Sequence, residues 1–474
     1  MEKPIITKYK KTHYLDLIKK TWPSLVSYLS YAFTLATLYI NIIIISNIIW
    51  PNESFHSSEI GLLFGISTYV MAFSGLAFGN LADKFSRIKI LSISVVFFGI
   101  GFVVNGFAPA EMGIFTYLYF LICVLIRGFF SGGFWPIINS YITDKTNEVE
   151  RSQYFGILNS TFQIIQLIGM IIAAFFFQSG LWKLYFWIVG SFICFLGIIL
   201  LRADEPKRAS TREELKDVIS NEEILYEYRL NKDSLKETIL KPTNLIAFTE
   251  GIFTTVLLSI PDFLLIAYFE SEPHNFSPIV ASFFMIIFGV PGTVFGSIIF
   301  SKLSDDLAKR NIKNRIYLII FSLVGIFLIF LIVFSLPIPH FSTQEGNDLI
   351  LILSYPIIWI LGLVAFLARS ILGLYNINQP PLVQKINLPE AQGFISSANQ
   401  FLESIGYGTG PIFAGILLSL FNQNYQITVT LTMSLGILGA LFWVIAIRWI
   451  EEDSNRISII LQKRKDQLKE KNLV

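Results

Sequence analysis

The sequence predicts an all-α membrane protein of twelve transmembrane helices, arranged as two pseudo-symmetric six-helix bundles. Three observations lead to this fold class. Only 15% of the 474 residues are charged, whereas a soluble globular protein carries about 25%. The charges cluster in short stretches, and the apolar segments between them reach the roughly 20 residues that a helix needs to cross a bilayer. Landmarks of the first half of the chain recur in the second half.

The apolar segments predict helices because they are continuous. A transmembrane barrel would instead show segments of about ten residues with alternating polarity. The predicted spans lie near residues 25–49, 58–80, 89–108, 113–141, 153–178, 182–201, 245–268, 278–301, 315–336, 349–376, 393–420 and 427–448.

Lysine and arginine lie almost entirely on one predicted side of the bundle. They occupy the N-terminal segment, the loops after the second, fourth and eighth spans, the central segment and the tail. The central segment has nine of them between Arg202 and Lys241, whereas the opposite side has only Lys183. Since basic loops stay in the cytoplasm, we expect a multi-pass protein of the cell membrane with both termini cytoplasmic.

These features divide the chain into four regions. We expect a six-helix bundle with its cytoplasmic N-terminal segment over 1–201, a cytoplasmic loop over 202–243, a second six-helix bundle over 244–449, and an amphipathic cytoplasmic tail over 450–474. The central loop contains apolar positions among its charges. They leave two interpretations open, namely short amphipathic helices on the membrane surface or a solvated linker.

A charged motif after the second span repeats, in degenerate form, after the eighth. Aligning Asp83 with Asp305 superimposes a leucine two residues earlier and a basic residue downstream. The pattern Gly79-x-Leu81-Ala82-Asp83-x-x-x-Arg87-x-Lys89 resembles the signature loop of the major facilitator superfamily, with Ser86 where that family usually has glycine. Two shorter stretches, 205–208 and 387–393, resemble its spinster-like branch.

The resemblance implies a transporter that works by alternating access, with spans 1, 4, 7 and 10 around a central cavity. It implies a gating role for five residues at the motif and its copy: Gly79, Asp83, Arg87, Lys89 and Asp305. Candidate substrate-binding or ion-binding residues are Arg127, Arg369, Glu250, Asn41, Asn376 and Glu403. The spinster-like acid–base pair of the first span is missing, because Asn41 and Ile42 stand there.

Charged residues inside spans need a partner or water. Arginine suits a carboxylate, phosphate or sulfate, so Arg127 and Arg369 in one cavity would favour an organic anion or amphiphile. Structural alternatives stay open: Arg127 could bridge helices, Glu250 could form an ion pair near the inner surface, and Glu403 could titrate or contact the loop after span 2. We expect Asp262 in an outer vestibule with little role.

Polar residues at helical spacing form three stripes that we predict to wet the cavity, with hydrogen bonding between helices as the alternative. The stripes are Thr34, Thr37 and Asn41 in span 1, Glu250, Thr254 and Pro261 in span 7, and Arg369, Gly373 and Asn376 in span 10.

Other classes of function lack their motifs. There is no Walker A pattern, Asn147 replaces the glycine of a phosphorylated-aspartate motif, and the central loop of about 41 residues is too short for a nucleotide-binding domain. We therefore expect no enzyme, cofactor, ATP or nucleic-acid partner.

The sequence predicts secondary active or facilitative transport of a small organic solute. The expected partners are that small-molecule substrate and the lipid bilayer, and participation of a coupling proton stays open. The alternatives are a spinster-type carrier of lipid or lysolipid and, more remotely, a membrane receptor or scaffold that transports nothing.

Overall fold

The computed structural model describes residues 14–146, 148–205 and 240–471, and all regular structure in these ranges is helical. Residues 206–239 of the central loop, for which either short amphipathic helices or a solvated linker were expected, fall outside the described residues. The described α-helices are α1 (Tyr14–Tyr39), α2 (Ile42–Ile49), α3 (Ser57–Lys84), α4 (Arg87–Asn105), α5 (Ile114–Ser131), α6 (Phe134–Lys145), α7 (Glu148–Gln178), α8 (Trp182–Ile199), α9 (Pro242–Glu270), α10 (Pro278–Phe284), α11 (Val290–Arg310), α12 (Lys313–Ser335), α13 (Leu349–Leu353), α14 (Pro356–Lys385), α15 (Pro389–Leu420), α16 (Tyr425–Gly436), α17 (Leu438–Ala446) and α18 (Ile450–Lys471).

The described helices provide eleven crossings, or the predicted twelve when one bent pair of helices is counted as a single span. Eleven segments are long and apolar enough to span a bilayer, and α1 with α2 forms a further pair bent by 65°. Three of the eleven are built from two helices in succession: α5 with α6, α10 with α11, and α16 with α17. The prediction of an all-helical membrane fold is confirmed.

Short connections make successive spans antiparallel, so the bundle has two distinct ends. We call the basic side the end with the loops at 84–89, 145–148 and 309–315. The opposite side carries the loops at 50–56, 179–181 and 271–277. Both ends of the described chain, Tyr14 and Lys471, belong to the basic side.

Large apolar side chains cover the outer surface. Phe115, Phe321 and Leu363 are 69%, 60% and 57% exposed. Such a surface suits the hydrocarbon core of a bilayer, where the backbone N–H and C=O groups must form their hydrogen bonds within helices. The sequence is therefore apolar both inside and outside, which explains why hydropathy locates helices without revealing which face is buried.

The two bundles meet closely along α3 and α15. A Cβ atom added at Gly65 would lie 2.2 Å from the carbonyl oxygen of Gly408, and one at Gly415 would lie 2.2 Å from that of Ser57. The Ser57 hydroxyl also donates to the carbonyl of Gly415 at 2.8 Å. The glycines thus bring backbone against backbone and close the opposite side of the molecule.

The tenth span continues beyond its predicted end at residue 376. Helix α14 passes through Pro380 and Pro381 and ends at Lys385. Neighbouring helices can compensate for the hydrogen bonds that proline removes in a membrane. In this longer helix, Arg369 lies near the middle.

The tail helix α18 is attached to the start of α9. Asp453 accepts a hydrogen bond from the Thr243 hydroxyl and lies 3.7 Å from the Lys241 ammonium group. The carboxylate is 11% exposed, so this contact anchors the tail against the second bundle.

Candidate functional site

A cavity of about 300 Å³ lies between the two bundles near the middle of the spans. Its walls come from α1 and α7 of the first bundle and from α9, α11, α14 and α15 of the second. Most of the lining is apolar or aromatic. The polar side chains that reach it are Gln163, Gln166, Asp262, Thr293, Arg369 and Asn376.

An ion pair forms the centre of this cavity. The Arg369 guanidinium lies 3.1 Å from Asp262, and the two side chains are 28% and 30% exposed. The Tyr407 hydroxyl donates to the second carboxylate oxygen at 2.9 Å. Because both charges remain partly open to the cavity, a ligand can reach either of them.

Close helix packing holds Arg369 in place. Gly292 of α11 lies against α14, where an added Cβ would be 2.4 Å from the Phe366 carbonyl oxygen and 3.1 Å from the Arg369 Cβ. The Ser370 hydroxyl donates to the Gly292 carbonyl at 3.0 Å. A π-helical turn, Met285–Gly289, leads into α11 beside the cavity, and such turns are frequent at functional sites.

Asp262 lies in the central cavity and not in the predicted outer vestibule. It lies eight residues before the end of α9, deep enough to meet Arg369. Sequence reasoning missed it because its partner is 107 residues away. Tyr407 was also missed, because nothing in the sequence distinguishes it from the many other aromatic residues of the spans.

Arg127 does not line the central cavity, so the predicted pair of cavity arginines is wrong. Its guanidinium lies over the ring of Phe102, 4.5 Å from the centroid, inside the first bundle. It is 6% exposed, and its Nε atom has no hydrogen-bond partner among the described residues. The cation–π contact partly replaces the solvation that burial removes.

The polar stripe of the first span also faces away from the cavity. The Thr37 hydroxyl shares a hydrogen bond with Tyr185 of α8 at 2.7 Å, and Asn41 donates to the Thr37 carbonyl at 2.8 Å. Thr34 bonds the backbone of its own helix. The alternative, hydrogen bonding within and between helices, is therefore the correct interpretation of this stripe, and Asn41 instead marks the break between α1 and α2.

Glu250 and Glu403 form a buried polar cluster inside the second bundle, away from the central cavity. Glu250 is fully buried and accepts hydrogen bonds from Thr254 at 2.5 Å and Tyr375 at 3.1 Å. Its second oxygen has no partner among the described residues. The predicted stripe of the seventh span thus reaches the cavity only at Pro261.

The second carboxyl of the cluster is bound by amides. Glu403 accepts from Asn399 at 2.5 Å and from Gln379 at 3.4 Å. The buried Trp443 N–H faces Glu250 without reaching hydrogen-bond geometry. The described donors around both carboxyls are neutral, so the cluster offers hydrogen bonds but no countercharge.

Besides the Ser57–Gly415 bond, further hydrogen bonds join the two bundles at the opposite side and about midway along α3. Tyr69 bonds Thr409 at 2.7 Å, Gln423 donates to the Phe55 carbonyl at 2.8 Å, and Gln178 donates to Asn347 at 2.6 Å. Together with the glycine contacts of α3 and α15, they separate the central cavity from this side.

A second cavity, of about 510 Å³, lies toward the basic side between α3, α5, α6 and α15. We call it the basic-side cavity. Gly79 of the signature motif lines it, as do Asn80, Asn139 and Gln400. The space between the bundles is therefore wider at this end than at the opposite side.

The signature motif is tied to the segment after the sixth span. Arg87 is 1% exposed, lies 3.0 Å from Glu205 and donates to the Ser140 carbonyl at 3.1 Å. Glu205 also accepts the backbone N–H of Ile88 at 3.0 Å and the Ser86 hydroxyl at 2.7 Å. One carboxylate thus caps helix α4 and neutralises a buried arginine.

Opposing effects set the pKa of Glu205. Burial alone would raise this pKa, but the Ile88 N–H, the Ser86 hydroxyl and the Arg87 guanidinium together hold it below its usual value. Glu205 belonged to a stretch that the sequence singled out, but no role was assigned to it. Lys89 is exposed, and the side chain of Asp83 lies outside the description.

The second bundle repeats this arrangement. Glu451, just after the twelfth span, lies 2.8 Å from Lys313 at the start of α12, as Glu205 lies beside the start of α4. The predicted gating residue Asp305 pairs with Arg315 at 2.8 Å. Both bundles therefore connect the start of their third span to the residues that follow their sixth.

A family profile described as the Major Facilitator Superfamily matches residues 27–411. The proline/betaine transporter of Escherichia coli strain K12 is 24% identical over 273 residues, which cover 52% of this chain and 51% of that protein. A probable 4-methylmuconolactone transporter of Cupriavidus pinatubonensis is 25% identical over 134 residues, covering 27% and 30%. The chain thus spans about a third to a half of the length of these curated relatives.

Solved structures match over nearly the whole chain. A bacterial homologue of the human lysosomal transporter Spinster, in an inward-facing and unoccupied conformation, has a TM-score of 0.67 at 18% identity and covers 94% of this chain and 99% of that one. A D-xylose–proton symporter gives 0.61 at 15% identity, covering 91% and 97%. At such low identity these likenesses establish the shared fold.

We predict that Glu205→Gln destabilises the protein by about 1–3 kcal/mol at neutral pH, because Arg87 then loses the carboxylate that lies 3.0 Å from its guanidinium. The stabilisation from Glu205 is present above the usual glutamate pKa of about 4.3 and is lost as pH falls through its depressed value. Thermal unfolding in detergent, followed by fluorescence, measures this. Asp204→Asn, at the exposed neighbouring acid, should change little. Equal effects of the two substitutions would contradict the assignment.

Proposed function

This chain belongs to the Major Facilitator Superfamily, and we propose that it carries a small organic solute across a membrane by alternating access. The transport is secondary active or facilitative and uses no ATP. The observation that carries the proposal is an accessible ion pair, Arg369 with Asp262, in a cavity between two bundles. Among the described residues, the bundles meet closely at the opposite side, whereas a cavity lies between them toward the basic side.

The chemistry of the ion pair favours a solute with a carboxylate or similar anionic group. Arg369 can bind it through a planar fork of N–H donors, and Asp262 can receive a cationic group of the same molecule. A zwitterion that inserts between Arg369 and Asp262 therefore provides each of these charged side chains with an oppositely charged partner. Proline and betaine, which name the transporter of Escherichia coli described above, are zwitterions of this kind.

The size of the central cavity agrees with a small solute. Its volume of about 300 Å³ lies at the lower end of the range for ligand pockets, about 300–1,000 Å³. A lipid or lysolipid gains no support from the spinster homologue, because likeness at 18% identity concerns the fold alone. We therefore retain the proposal of a small solute. The remaining alternative, a receptor or scaffold, predicts that no solute is taken up.

We propose that the basic side faces the cytoplasm of the cell, in keeping with the charge rule for membrane loops. Both termini are then cytoplasmic, and the structure represents an inward-facing state.

An impermeant thiol reagent applied to intact cells should label Leu181→Cys and spare Arg310→Cys. The reverse pattern would contradict this orientation.

A coupling proton is proposed to bind at Glu250 and Glu403. Both carboxyls lie among neutral donors, and an ionised carboxylate in such surroundings costs several kcal/mol. One of the pair therefore holds a proton, which can be released when the cluster becomes hydrated. The cluster is separate from the solute pair, so proton and solute need not compete for one group.

We predict that Arg369→Gln and Asp262→Asn each reduce solute uptake by about 10- to 100-fold, since each removes a charge-assisted contact of about 1.5–3 kcal/mol. A screen of labelled carboxylates and zwitterions in proteoliposomes provides the assay. Arg127→Gln, which changes an arginine outside the cavity, should leave the KM of the folded protein unchanged. An equal rise of KM in Arg127→Gln and Arg369→Gln would contradict the assignment of the site.

The same proteoliposomes test the proton. We predict that Glu403→Gln abolishes the stimulation of uptake by an inward proton gradient but retains solute exchange at equal pH. Glu111→Gln, at an exposed loop, serves as the control. If the proton gradient still stimulated uptake fully in Glu403→Gln, the proposal that the coupling proton binds at this cluster would be contradicted.

A further inference from the structure

Glu270 is a buried acid that none of the roles above uses. It is the last residue of α9, on the opposite side of the molecule, and is 8% exposed. Neither of its carboxyl oxygens has a hydrogen-bond partner among the described residues. Twenty residues, or about 30 Å of helix, separate it from Glu250, so it is independent of the polar cluster.

The covering of Glu270 comes partly from the other bundle. The backbone N–H of Ile43, in α2, faces the carboxyl, although the geometry falls short of a hydrogen bond. Helix α2 belongs to the first bundle and α9 to the second, and the two helices are in contact. Separation of the bundles on the opposite side would therefore uncover Glu270 to water.

The groups around Glu270 provide no countercharge. Tyr425 of α16 faces it, and its hydroxyl is shared with Ser271 at 2.8 Å. Tyr268 lies on the same helix, and neither α2 nor α10 contains a titratable residue.

The nearest imidazole is no countercharge either. The His274 ring lies 4.7 Å from that of Tyr268, and burial lowers the pKa of His274, which favours its neutral form. Deeper in the helix, Asp262 is already paired with Arg369, and Tyr407 donates to it. Within the described part of the chain, Glu270 thus faces only neutral groups.

We propose that Glu270 is a proton-binding site of the opposite-side closure, which takes up one proton when the bundles close and releases it when they open. In the closed state the carboxylate and a proton from water combine to form a neutral carboxylic acid, because an ionised carboxylate without partners is strongly disfavoured there. In the open state water solvates the ionised form. The inference rests on the proposed alternating access, but not on the identity of the solute.

The linkage has a definite sign. Closure binds a proton, so closure is favoured at low pH and weakened as pH rises. The ratio of closed to open molecules falls by up to tenfold for each pH unit, over the range in which the open form is ionised and the closed form is protonated. Acid on the opposite side thus drives the transporter toward the state described here.

Electron–electron distance measurements test this directly. Spin labels at Gln178→Cys and Asn347→Cys report on the opposite side, where these residues of the two bundles bond at 2.6 Å. The native thiols Cys123 and Cys194 are first replaced by alanine. Distances are recorded in nanodiscs from pH 5 to pH 9 without solute, so a failure of transport leaves the readout intact.

We expect short distances at pH 5 and a growing population of long distances at higher pH. Glu270→Gln, which cannot ionise, should remain short at every pH, whereas Glu272→Gln, at the exposed acid two residues later, should keep the profile of the unsubstituted protein. A pH-independent distribution in the protein with Glu270 would overturn the proposal. So would an unchanged titration in Glu270→Gln.

Discussion

The ion pair between Arg369 and Asp262 is the interaction on which the proposed mechanism depends. A charged side chain within a bilayer needs a partner or water, and these two residues are partners at 3.1 Å and line the same cavity. Their partners on α11 and α15 fix this position through glycine packing and the Tyr407 hydroxyl. A solute that exchanges with this pair would contact helices of the second bundle directly and of the first across the cavity.

Backbone contact at the opposite side gives that exchange a direction. Where Gly65 and Gly415 bring α3 against α15, a side chain of any other residue would hold the bundles apart. The buried carboxyl of Glu270, which has no hydrogen-bond partner among the described residues, lies at the same closed end. In the proposed mechanism, the glycine contacts and the protonation of Glu270 therefore both favour closure of the bundles at the opposite side. The solute would then reach the central cavity through the basic-side cavity.

Hydropathy and charge predicted the fold because both follow from the bilayer. The span count and the helical class are confirmed, since apolar length and basic loops are properties of single segments. Whether a side chain points into the central cavity or into the interior of a bundle was harder to predict. Arg127 and Arg369 have equivalent settings in their spans, yet one lies over Phe102 inside a bundle. Asp262 was expected to have little role because its partner was not known, and the tenth span, predicted to end at residue 376, continues to Lys385.

The most direct test is a structure of the purified protein with the solute that the uptake screen identifies, determined by electron cryo-microscopy. The account predicts density in the central cavity, with the anionic group of the solute beside Arg369 and any cationic group beside Asp262. Density confined to the basic-side cavity, or beside Arg127 within the first bundle, with the Arg369–Asp262 pair undisturbed, would contradict it.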